Sequence, residues 1–147
     1  MEVEIERVEQ RAIGRADCGV ACVAMLAGCS YEQAFIAFGF AQHQRQFYTR
    51  HRHLMRALVL LGCTVQRKKF LTWYQIAGFA IVAVNHTKQG KYWHWVVWAN
   101  QTILDPRPKR LREPHDVKGM RGKGWYVLLK QRSQGSFKSL SDFKDDQ

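Results

Sequence analysis

The chain has no apolar run approaching the roughly 18 residues that a membrane-crossing helix needs. It also lacks a secretory start. Met1-Glu2-Val3-Glu4-Ile5-Glu6 alternates acid with apolar, where a signal peptide would set basic residues before a greasy stretch. These absences predict a soluble, unprocessed, cytoplasmic protein. No internal repeat or low-complexity block divides its 147 residues, so one domain is expected over 1–132, with 133–147 as a polar tail. Disorder is excluded in turn, because 46% of residues are hydrophobic and 12% aromatic, enough to fill a core. The four cysteines, Cys18, Cys22, Cys29 and Cys63, match no paired zinc pattern, and neither metal nor any other cofactor is expected. With nothing to mark secretion, free thiols are expected.

Acidic residues are scarce: 12 Asp and Glu stand against 23 Lys and Arg, a net of +11. The first ten residues net −3 and 136–147 net −1, so 11–135 carry +15, four more than the whole chain. Such a field draws nucleic acid, anionic membranes or acidic proteins. Arg45, Arg50, Arg52 and Arg56, interleaved with Phe47, Tyr48, His51 and His53, form one basic stretch. Arg107-Pro108-Lys109-Arg110-Leu111-Arg112 form another. Either stretch suits phosphates and stacked bases, acidic residues of a protein substrate, or plain solvation.

Local signals place helices first. Asp17 is a candidate N-cap for a segment closed by Gly28, and Ser30 with Gln33 forms a capping box for a second helix. Leu54, Leu58 and Leu61 recur at helical spacing over 50–61, with Gly62 as a stop. Strands follow. Cys63–Arg67, Phe79–Asn85, Tyr92–Ala99, Thr102–Asp105 and Trp125–Leu129 are apolar or alternating and bounded by turn residues. Thr72 and Gln75 cap a short helix between the first two. Helices and then an antiparallel sheet make an α+β fold.

Chemistry concentrates in three places. Cys18 would be the first residue of the first helix, where free N–H groups and the positive helix end favour a thiolate nucleophile. Gly19 leaves its approach open, and the Cys18 N–H can meet a developing oxyanion. His94 lies in the apolar run Tyr92–Trp98, where its polar atoms require partners. If Asn100-Gln101 is a two-residue hairpin loop, Ala99 faces Thr102, Trp98 faces Ile103 and Val97 faces Leu104. His94 and Asp105 then share a face as diagonal neighbours, about 7 Å apart or less at Cβ. A carboxylate there orients the imidazole and stabilises its protonated form.

Asp17-Cys18-Gly19-Val20-Ala21-Cys22, His94-Trp95-Val96-Val97 and Ile103-Leu104-Asp105-Pro106 together resemble the bacteriocin-leader (double-glycine) processing peptidases, over about residues 8–106. These are papain-like cysteine peptidases, best known fused to peptide-exporting ABC transporters; the chain would be a free-standing form. The resemblance implies a papain-like fold with N-terminal helices packed on a C-terminal antiparallel sheet. It implies Cys18 as nucleophile, His94 as acid/base and Asp105 as its orienting carboxylate. It also implies a glutamine donor to the oxyanion. The family spacing falls on Ala12, and the nearest glutamine is Gln10, with Gly14 available to absorb a two-residue insertion. The substrate implied is a peptide or protein, not necessarily a double-glycine leader.

Three alternatives remain at this level. The same triad would serve a deamidase or transamidase. The fold would also serve as a catalytically silent binding domain. A small basic nucleic-acid-binding protein fits the charge, although no zinc finger or RNA-binding signature supports it.

Overall fold

The computed structural model describes residues 4–12, 15–108 and 119–132. The expected tail 133–147 and most of the second basic stretch lie outside them. Three helices come first: α1 (Cys18–Ala27), α2 (Tyr31–Phe38) and α3 (His51–Leu60). Five strands follow: β1 (Cys63–Lys69), β2 (Phe79–Val84), β3 (His94–Ala99), β4 (Thr102–Leu104) and β5 (Gly122–Arg132).

Each helix begins and ends for local reasons. Gly28 closes α1 in the left-handed region at φ 74°, its N–H bonded to the Ala24 carbonyl. The Ser30–Gln33 box opens α2, with reciprocal bonds of 3.1 and 3.0 Å. At α3 the Arg50 N–H donates to His53 Nδ1 at 2.8 Å, the return half of such a box. The Thr72–Gln75 box also forms, but it caps only a single 3-10 turn, Trp73–Gln75.

The sheet is antiparallel throughout, in the order β1-β5-β2-β3-β4. The last strand therefore inserts between the first two. One face packs Ile81, Ala83, Trp95, Val97 and Val127 against the helices. The other packs Ala80, Val82, Trp98, Ile103 and Tyr126 against Trp73, Ile76 and Met120. Burial on both faces explains the unbroken apolar run of β2, which alternation would not produce.

The β3–β4 hairpin has the register expected from a two-residue loop: Ala99 faces Thr102, Trp98 faces Ile103 and Val97 faces Leu104. Asn100 and Gln101 both take positive φ, 50° and 67°, as a primed turn requires. Strand β3 is shorter than expected. Tyr92 and Trp93 leave it because Thr87 closes a loop, its N–H donating to the Tyr92 carbonyl and its Oγ1 accepting from the Tyr92 N–H. This puts His94 at the sheet's end and not within it. Among the described residues, no single helix is long and apolar enough to cross a membrane.

Candidate active site

The hairpin delivers His94 and Asp105 to each other. His94 Nε2 donates to Asp105 Oδ1 at 2.9 Å, and the carboxylate is fully buried. With Nε2 occupied, Nδ1 is the ring nitrogen left over, and Cys18, at the first position of α1, acts on the charge of the imidazole. Burial opposes the imidazolium. The Asp105 bond and then the Cys18 sulfur outweigh it, and the His94 pKa is pushed up to about 9. Burial would likewise raise Asp105, but His94 and Arg107 hold its carboxyl well below the usual carboxylate range. His94 and Asp105 are thus joined directly, and Cys18 contributes to the raised charge state of the imidazole.

Asp105 has a second clamp. Arg107 Nη2 and Nε donate to its Oδ2 at 2.6 and 2.9 Å, and the Arg107 N–H reaches Oδ1 at 3.0 Å. The N-terminal segment then straps this loop. Arg7 Nε donates to the Asp105 carbonyl at 3.1 Å, and the Gln10 N–H donates to the Pro106 carbonyl at 2.8 Å. Arg107 was expected in a free basic stretch; instead it is committed to orienting the carboxylate.

Asp17 departs from its expected role. Its side chain caps nothing in α1. The buried carboxylate accepts from the Arg11 and Ala12 N–H groups at 2.7 and 2.8 Å and from the Tyr31 hydroxyl at 2.7 Å. Gln10 Nε2 donates to the other oxygen at 3.2 Å. The carboxylate turns away from the helix because the strap offers it three donors and α2 a fourth. The Cys18 and Gly19 N–H groups consequently have no acceptor among the described residues. Gln10 is bound to the residue preceding Cys18, and Gly14 lies outside the described residues.

Gly19 is needed for packing, and the expected role of opening the approach to Cys18 is secondary. A Cβ there would sit 2.3 Å from Thr49 Oγ1 and 3.2 Å from both Leu54 Cδ2 and Trp95 Cδ1. Gly19→Ala is expected to cost about 1–3 kcal/mol in denaturant unfolding. Adding Thr49→Ala, which removes the unpaired Oγ1, should recover much of that loss. Equal midpoints for wild type and Gly19→Ala would contradict the steric account.

Three of the other described histidines are engaged elsewhere. His51 donates to the Trp125 carbonyl at 2.8 Å, His53 accepts from Arg50, and His86 packs on Trp93. The other thiols are unsuited to nucleophilic work. Burial pushes Cys22 far up, Cys29 to about 12 and Cys63 to about 11. No group of three or more His, Cys, Asp or Glu with metal-holding geometry occurs among the described residues.

Helices on an antiparallel sheet, with cysteine at a helix start and histidine at a strand start, define a papain-like α+β fold. The chain is similar to the peptidase domain of Streptococcus ComA, a bifunctional ABC transporter involved in quorum sensing. The TM-score is 0.61 at 20% identity, covering 86% of this chain and 98% of that one. No protein-family model and no curated protein matches the sequence.

Proposed function

We propose that the protein is a cysteine peptidase that hydrolyses a peptide or amide bond through Cys18, His94 and Asp105. The observation carrying this reading is the 2.9 Å His94–Asp105 bond, with Cys18 at the start of α1 helping to raise the His94 pKa. The Cys18 sulfur attacks the carbonyl carbon, and the oxygen takes the negative charge. The unpaired Cys18 N–H and the second N–H of the Gln10 amide meet that oxygen. His94 gives its proton to the departing amine, leaving a thioester. Water, deprotonated by His94, attacks the thioester; the acid leaves and the sulfur is restored. Ammonia as leaving group makes the same cycle a deamidation.

Iodoacetamide labelling tests this reading, because exposure and the proposed nucleophilic role favour different thiols. Cys18 is only 7% exposed, whereas Cys29 is half-buried and more open. Cys29 is nevertheless held as a thiol at neutral pH, its pKa raised by burial and by Cys63. Cys18 is therefore expected to react at least about tenfold faster than Cys29, as read by mass spectrometry of digests. Labelling in order of exposure, Cys29 first, would reject the nucleophile.

A further inference from the structure

Cys18 lies on the floor of a cleft whose walls include Tyr48, Thr49, Arg50, His53, Lys91 and Trp93. A second cleft shares Tyr48, Thr49 and His53 and continues past Arg56 to Phe38 and Phe40. The two form one groove, from Cys18 across the start of α3 to the end of α2. Arg50, His53, Arg56 and Lys91 are basic, and among the described residues no Asp or Glu lines either cleft.

These cations differ from the arginines that neighbour the Asp105 loop and the start of α2. Arg7, Arg11 and Arg107 each bond a carboxylate. Arg50 instead lies over the Trp93 ring at 5.8 Å and Lys91 over Tyr92 at 5.4 Å. Among the described residues Arg50, Arg56 and Lys91 have no carboxylate partner. The concentrated charge is felt by His53, whose pKa is lowered by burial and then by Arg52, Arg50 and Arg56. The groove walls also hold two buried polar atoms without partners, Thr49 Oγ1 and Trp93 Nε1.

We infer that this groove binds an extended acidic segment of the substrate, an assignment of substrate class that rests on Cys18 being the nucleophile. Tyr48, Trp93 and Phe40 supply flat apolar surface for the chain, and the free cations offset its carboxylates. A single-stranded nucleic acid also carries charge and stackable rings. It is disfavoured because the groove leads to a sulfur poised for acyl groups, which a nucleic acid does not offer.

The test uses the full chain as Cys18→Ala, so that binding is read apart from chemistry. A fluorescein-labelled decapeptide alternating glutamate and alanine is compared by anisotropy with its glutamine counterpart. The glutamate peptide is expected to bind at least about tenfold more tightly at low salt, each groove cation adding a few-fold. Arg50→Gln, Arg56→Gln and Lys91→Gln combined should erase the difference. Lys68→Gln with Lys69→Gln, in β1 and outside the lining of both clefts, should preserve it. Equal binding of the two peptides would overturn the inference. So would equal loss in the Lys68 and Lys69 variant, or an oligothymidine binding as tightly as the glutamate peptide. Failure of iodoacetamide selectivity sinks the peptidase reading, whereas failure of glutamate selectivity sinks only the groove assignment.

Discussion

Cys18→Ala and His94→Ala are each expected to lower peptidase activity by on the order of 10⁴-fold or more, and the double variant by no more than either alone. The non-additivity follows from the roles assigned. Without the sulfur no bond forms to the carbonyl carbon; without the imidazole the sulfur has no proton partner and the amine no acid. Gln10→Ala should cost less, about 10²-fold, because one oxyanion donor at Cys18 remains. The fold is expected to survive His94→Ala. Arg107 continues to hold Asp105 through three donors, so no buried carboxylate is orphaned. Unfolding midpoints close to wild type, together with single-turnover rates on a fluorogenic peptide, check both points. Retention of most activity by either single variant would refute the triad assignment.

The parts of this site legible in the sequence are those specified by short-range rules. The stop at Gly28 and the Ser30–Gln33 box depend on residues three or four apart. The His94–Asp105 pair followed from the period of a strand and the length of a hairpin loop, because a two-residue turn fixes which side chains share a face. What escaped has no period. Arg7 as a strap reaches a loop 98 positions away, and Arg107, only two residues past Asp105, folds back on it through side-chain geometry that no strand or helix period encodes. Asp17 had the right residue type for a cap, but four donors brought by tertiary folding outcompeted the helix end. The placement of β5 between β1 and β2 was invisible for the same reason: alternation gives a strand its face, not its neighbours. The unpaired state of Arg50, Arg56 and Lys91 appears only when the partners of the other cations are known. Composition alone left the basic residues equally suited to phosphate, peptide or water.

Asp105→Asn should move the alkaline limb of activity downward, and Arg107→Met should not. His94 is raised from 6.5 to about 9, so the protonated imidazole that pairs with the sulfur persists below that value and is lost as pH climbs through it. Wild-type kcat/KM should therefore fall on the alkaline side near pH 9. Burial pulls the imidazole the other way, and the Asp105 hydrogen bond is the largest of the effects that oppose it. Asparagine removes the charge while keeping an acceptor, so burial regains its weight and the Arg107 guanidinium, stripped of its counterion, adds repulsion. The limb should drop by at least about one pH unit, with a loss of 10²- to 10⁴-fold in kcat/KM at the optimum. Methionine at 107 has the opposite electrostatic sign. It removes a cation that shares the Asp105 carboxylate, leaving more of the negative charge for the imidazole. The limb should then stay near pH 9 or rise, while kcat/KM falls modestly because the carboxylate is less firmly aimed. A site merely loosened by either substitution would lose its raised His94 in both variants and shift both limbs down together. Opposite movement in the two pH profiles is therefore the outcome that separates charge from geometry.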